Sequence, residues 1–129
     1  MFQGKAKIEY GLMIMTELAA QPGEYVSVSN LAKKSQISSI YLIQIAKSLR
    51  RAGLLNSKEG AHGGYMLTRP ADQISLLSII EALDNSLGQA GGDGQKFSCH
   101  HHGAWNLIAA TVKQKLAEEN LASLIRLNR

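Results

Sequence analysis

Residues 38–68 read SSIYLIQIAKSLRRAGLLNSKEGAHGGYMLT. The first half has helical periodicity, opening on a serine that can cap a helix and closing on Gly53, which can stop one. The second half sets two short apolar segments, Leu54-Leu55 and Tyr65-Met66-Leu67, on either side of a loop holding Gly60, Gly63 and Gly64. That arrangement predicts a β-hairpin. A helix running straight into a hairpin is the outline of a winged helix-turn-helix, which turns the question of function toward DNA.

The rest of the chain fits that frame. Ile8, Leu12, Met15 and Ala19 recur at spacings of three and four, predicting a first helix from about Lys5 to Ala20 that Gln21-Pro22-Gly23 ends. A short helix, Val28 to Lys34, follows with Ser27 as N-cap and Asn30 at the third position, and Ser35-Gln36-Ile37 turns the chain. Ser38 then caps the helix that ends at Gly53. Its wheel points Leu42, Ile45, Ala46, Leu49 and Ala52 at a core, and Ile40, Gln44, Lys47 and Arg51 away from it. Arg69-Pro70 ends the second strand, and Gln73 to Asp84 reads as an amphipathic helix with Leu77, Ile80 and Leu83 inward. Residues 85–98, NSLGQAGGDGQKFS, are glycine-rich and polar, a pattern expected of a mobile loop.

The last long helix is expected from about His102 to Glu119. Trp105, Ile108, Ala109, Val112 and Leu116 form one stripe on it and Leu107 stands nearly opposite. Apolar groups on two sides require two partners, and the simplest second partner is the same helix of another subunit, giving a homodimer. Asn120 is placed to cap a final turn with Leu121, Leu124 and Ile125 packing back. The fold class expected is mainly α with a small β-hairpin wing, a winged helix-turn-helix with a long C-terminal dimerisation helix. It divides into a DNA-binding domain over 1–84, a flexible sensor loop over 85–101, and a dimerisation helix with its C-terminal turn over 102–129.

Bulk properties narrow the class. With 129 residues, one cysteine and no long apolar run, the chain is expected to be a soluble, cytoplasmic protein with no disulfide framework and no membrane span. Met1-Phe2-Gln3-Gly4 leads directly into a helical pattern, unlike a signal peptide. The net charge is +4, but residues 1–58 carry eight basic and three acidic side chains (+5), while the remainder carries six and seven (−1). The basic excess thus sits on the half with the helix and hairpin, as an electrostatic footprint for phosphates requires; a solvated face is the plainer reading of the charge alone. The candidate DNA-contacting set is Lys5, Lys7, Ser38, Ser39, Ile40, Tyr41, Gln44, Lys47, Arg51, Lys58 and His62. Within it an amide can meet adenine, an aliphatic group a thymine methyl, and cations the phosphates.

Three segments, SIYLIQIAKSLRRAGLLNS, GGYMLTRP and ISLLSIIEAL, resemble the Rrf-two (Rrf2) family of bacterial winged-helix regulators, the family of IscR, NsrR and CymR. The resemblance covers nearly the whole chain and continues at Trp105, which matches a tryptophan early in the family's dimerisation helix. It implies a homodimer on a palindromic operator, with the recognition helix in the major groove and the wing at the minor groove. Two positions depart from the pattern. Glu59 stands where relatives often carry a wing arginine for the minor groove, so Lys58 or His62 is left to make that contact. Of three cysteines that cluster-binding members carry, this chain keeps one, Cys99, in CHHHGAW.

Cys99 and His102 are three residues apart, a separation at which both can reach one metal, and thiolate with imidazole suits iron, zinc or copper(I). The resemblance matches His102 to a histidine ligand of cluster-binding relatives, and Glu9 to a carboxylate that some relatives bring from the partner subunit. A metal or iron–sulfur cluster on Cys99, His102 and Glu9, with His100 or His101 as alternatives, is one reading. A redox switch at the Cys99 thiol without metal is a second. No cofactor at all, with control by a small molecule or protein partner, is the third. A winged-helix module whose basic face binds a protein instead of DNA is the alternative from another class, favoured by Glu59. Catalysis is not expected: the glycines of KEGAHGGY lie in a hairpin, not between a strand and a helix as a phosphate loop requires, and Cys99 lacks a fixed third group.

Overall fold

The computed structural model describes residues 5–84 and 99–127, with the side chains of 99–102 left out of the description. The elements run α1 Lys5–Ala19, α2 Val28–Ser35, α3 Ser39–Arg51, β1 Leu55–Lys58, β2 Gly64–Leu67, a 3-10 turn Ala71–Gln73, α4 Leu76–Leu83, α5 Cys99–Glu118 and α6 Leu121–Leu127. This is the winged helix-turn-helix expected, with a long C-terminal helix. No described helix is long and apolar enough to cross a membrane.

The helix-turn-helix is built from local signals. Ser27 Oγ accepts from the Asn30 N–H at 3.2 Å and Ser38 Oγ from the Tyr41 N–H at 3.3 Å, so both helices start on serine caps, each contributing about 1 kcal/mol. Between them Gln36 adopts a left-handed conformation with φ 60°. The Ile37 N–H donates to the Ala32 carbonyl at 3.0 Å across it, closing α2 with a Schellman-type turn. Helix α3 ends the same way, now with Gly53 at φ 83° and Leu54 N–H donating to Leu49 carbonyl at 3.0 Å. The turn at Gly53 drops Leu54 and Leu55 straight into the core.

The hairpin pairs Leu55 with Leu67, Asn56 with Met66, Ser57 with Tyr65 and Lys58 with Gly64. Its base is held by Thr68, whose hydroxyl donates to Gly53 carbonyl at 2.8 Å. Its other edge is held by Val26, which exchanges two 2.9 Å backbone bonds with Tyr65. The strand ends at Leu67, two residues before Arg69-Pro70. Gly64 is required here: its φ is +147°, and a Cβ would stand 2.2 Å from the Val26 carbonyl oxygen.

One apolar core joins Ile14, Met15, Leu18, Leu42, Ile45, Leu49, Leu54, Leu55, Ile74, Ile79 and Leu121. The inward face of α1 is rotated from the expected stripe. Ile8 and Met15 are buried, but Gly11, Ile14 and Leu18 complete the face, while Leu12 and Ala19 are half-buried at its border. Gly11 explains the shift, since a Cβ there would collide with Leu83 and its absence lets α4 close on α1. The helix expected over Gln73–Asp84 begins only at Leu76, because Pro70 first enters a 3-10 turn and Ser75 then caps α4 through the Ser78 N–H at 3.1 Å. Ile79 takes the fully buried place beside Ile80 and Leu83, and Leu77 is half-buried. Ala52, expected inward, is exposed because the chain has begun to turn away there.

Helix α5 begins at Cys99, three residues earlier than expected, so Cys99–His101 belong to its first turn and not to a loop. The loop expected over 85–98 lies outside the described residues. Asn120 does cap the final helix, its Oδ1 accepting from Ser123 N–H at 2.8 Å, and Leu121 is fully buried with Leu124 and Ile125 packed against the core. Two backbone bonds tie this junction to the entry of α4: Leu76 N–H to Glu119 carbonyl and Leu121 N–H to Ile74 carbonyl, both 2.9 Å.

Candidate nucleic-acid interface

Helix α3 presents two faces of opposite character. Leu42, Ile45, Ala46 and Leu49 are buried in the core, so the opposite side is held outward with little freedom to roll. On that side Ile40, Gln44, Lys47 and Arg51 all lie within about 60° on a wheel of 3.6 residues per turn, in a row about 16 Å long. All four are exposed, Ile40 most conspicuously at 71%. The row therefore runs from an aliphatic group through an amide to two cations. Such a helix fits the width of a B-DNA major groove.

The flanks are fixed more tightly than the row. Tyr41 is half-buried and stands edge-on against Tyr10 of α1, with ring centroids 5.7 Å apart and planes at 86°. Ser38 is committed to its cap, and Ser39 is exposed beside it. Ser48 turns its hydroxyl back to the Gln44 backbone carbonyl at 3.3 Å, and Gln44 itself is exposed.

On the wing, Lys58 is exposed with its ammonium 5.7 Å from the centroid of the Tyr25 ring. This contact was not readable in the sequence, because the partners are distant in the chain and meet only through the Val26–Tyr65 bridge. His62 lies at the wing tip, exposed, on the rim of a cleft of about 440 Å³ shared with Glu17, Tyr25, Ser27, Asn30 and Lys34. Glu59 is exposed next to Lys58, and a carboxylate there repels a phosphate backbone.

The cations divide into two groups. Lys5 is 3.7 Å from Glu9, Lys34 is 4.0 Å from Glu17, and Lys115 is 3.5 Å from Glu119. Lys7, Lys33, Lys47, Arg50, Arg51, Lys58, Arg69, Lys113 and Arg126 have no ion pair among the described residues, and three of them, Lys47, Arg50 and Arg51, share α3. Helix α3 thus carries three of the unpaired cations and the wing a fourth, Lys58. Lys5 and Lys7 stand at the start of α1, the one exposed and the other half-buried.

The candidate metal ligands are brought together only in part. Cys99 and His102 fall in the first turn of α5 with His100 and His101, their side chains outside the described residues. Glu9 is exposed on α1 and engaged with Lys5. Among the described residues no group of three or more metal-binding side chains converges. One thiolate per chain excludes the four-cysteine ligation common in iron–sulfur proteins within one subunit, while thiolate with imidazole is a donor set that zinc and iron accept.

On α5, Trp105, Val112 and Leu116 are half-buried against this chain's own core with Ala109 buried between them. Leu107 stands opposite that stripe and is exposed at 70%, while Ile108 lies at its edge and is exposed at 45%. Of Trp105, Leu107, Ile108, Val112 and Leu116, the candidates for a subunit interface, Leu107 and Ile108 are the exposed ones.

Comparison with known proteins agrees with this geometry. The family model described as "Rrf2: Iron-dependent Transcriptional regulator" matches residues 5–127. The HTH-type transcriptional regulator IscR of Cereibacter sphaeroides is 33% identical over 131 residues, covering 93% of this chain and 84% of that protein. The structure of CymR, the global cysteine regulator of Bacillus subtilis, superposes with a TM-score of 0.77 at 32% identity, covering 96% of both chains. The oxidized form of Staphylococcus aureus CymR gives 0.71 at 33% identity, covering 92% of this chain and 91% of that one.

Proposed function

Because the chain belongs to the Rrf2 family of helix-turn-helix transcriptional regulators, we propose that it acts as a homodimer on a palindromic operator, placing α3 of each subunit in a major groove. The relatives are regulators and not enzymes, in keeping with the expectation from the sequence. The observation that carries the proposal is the outward row of α3, where base-reading and phosphate-binding groups follow one another on a helix locked by its buried face. The phosphate contacts fall to Lys47, Arg51 and Lys58, with Lys5, Lys7 and His62 at the margins. Substituting Gln44, Lys47 and Arg51 together by alanine tests it. Loss of operator binding with an unchanged fold supports the proposal, and undiminished binding refutes it in favour of a protein-binding module.

The dimer rests on the unpartnered side of α5. Leu107 is exposed there with Ile108 at the border of that side, and a second copy of the same helix offers the matching surface. Sedimentation of Leu107→Asp is the check: a monomer is expected, and an unchanged dimer places the contact elsewhere.

The signal enters at the first turn of α5. Cys99 and His102 would hold a metal ion or a mixed-ligand cluster, with Glu9, His100 or His101 completing the set. When bound, such a group supplies a charge and oxidation state that respond to iron or redox conditions. A second reading keeps the Cys99 thiol alone as the oxidisable group, and an oxidized form exists for the S. aureus relative. Protein purified without oxygen and assayed for visible absorption, iron and sulfide separates them. Colour and iron that disappear in Cys99→Ala support the metal; colourless protein whose DNA affinity responds to peroxide only when Cys99 is present supports the thiol.

A further inference from the structure

Ile40 is the one exposed large hydrophobic side chain among residues 5–84; the others so exposed, Leu107, Ile108 and Leu127, all belong to α5 and α6. It projects from the first turn of α3, on the row that continues with Gln44, Lys47 and Arg51. Nothing among the described residues covers it. Its surroundings restrict what does. An apolar protein groove would leave the two neighbouring cations desolvated and unpaired, which is costly. The complementary surface must be polyanionic and yet offer a small apolar group at the level of the helix N-terminus. The major groove of DNA has one such group, the 5-methyl of thymine.

We propose that Ile40 is a specificity-determining residue that reads thymine through its methyl group, with Gln44 pairing to adenine one or two base pairs away. The spacing follows from the helix. Side chains four residues apart stand about 6 Å apart on a helix surface, and successive base pairs are separated by about 3.4 Å. The β-branched side chain adds rigidity, because it holds few rotamers in a helix and presents its methyl groups in a fixed direction. Tyr41, docked on Tyr10, keeps this first turn from rolling.

The inference rests on the operator-binding function and its test separates the two. The preferred duplex is first selected from random DNA with the full chain, and each thymine in it is then replaced by uracil, which removes only the methyl. Binding is read by fluorescence anisotropy for the wild type and Ile40→Ala, with thermal unfolding to show that both are equally folded. At one position per half-site, uracil is expected to weaken the wild type about three- to fivefold, the worth of one buried methyl group, and to leave Ile40→Ala unaffected. If no thymine position distinguishes the two proteins, Ile40 does not read the methyl, although sequence-selective binding stands. If the selection yields no preferred duplex, the operator-binding function falls and this inference with it.

Discussion

Lys47→Gln, present in both subunits of a dimer, should flatten the salt dependence of operator binding. Lys47 is exposed, points along the outward row of α3 and has no ion pair among the described residues, so its charge is free to displace a counterion from a phosphate. Each phosphate neutralised contributes about 0.9 to the slope of log affinity against log salt, so losing one contact per subunit lowers the slope by about 1.8. Between about 50 and 200 mM salt, the wild type should therefore lose roughly tenfold more affinity than the variant. Arg51→Gln should behave alike. Lys115→Gln, at the far end of α5 and already paired with Glu119, should leave the slope unchanged. Anisotropy titrations of the same operator at several salt concentrations supply the slopes, and urea unfolding shows whether the fold is intact. Parallel lines for the wild type and a fully folded Lys47→Gln would sink the assignment of this face to DNA.

Three further outcomes follow from particular contacts. Gly64→Ala should destabilise the protein by about 1–3 kcal/mol, through strain and the forced retreat of Val26; Gly23→Ala, with φ +79° but open space around it, should cost only about 1–2 kcal/mol, both read by urea denaturation. Gln36→Gly should raise stability by about 0.5–1 kcal/mol by relieving the left-handed conformation in the helix-turn-helix, and a lower unfolding midpoint would contradict that account. Tyr25→Ala should weaken operator binding two- to fivefold by releasing Lys58, the effect of losing about 0.5–1 kcal/mol of cation–π attraction, whereas Tyr25→Phe should bind normally.

What could be read in the sequence were features encoded within a few residues of one another. The caps Ser27 and Ser38, the stop at Gly53 and the buried face of α3 are all of this kind, and the fold class followed from their order. Features that depend on distant partners were displaced or invisible. The rotation of α1 is set by Leu83 closing over Gly11. The seat of Lys58 on Tyr25 needs a strand bridge that no periodicity announces. Within the candidate interface the outward row of α3 was legible in full, because helical spacing alone fixes it. The division of α5 into a covered and a free side was not, since Trp105, Val112 and Leu116 look equally suited to either partner.

The two backbone bonds from the end of α5 to the entry of α4 clamp one end of a long rod. Helix α5 extends about 30 Å from that point at 1.5 Å per residue, and its far end is the turn carrying Cys99. Along that length Trp105, Ala109, Val112 and Leu116 lie against the core, so the helix is held on one side and not at one end alone. One continuous helix therefore joins the Cys99 turn to the entry of α4, the helix that closes on Gly11 beside α3.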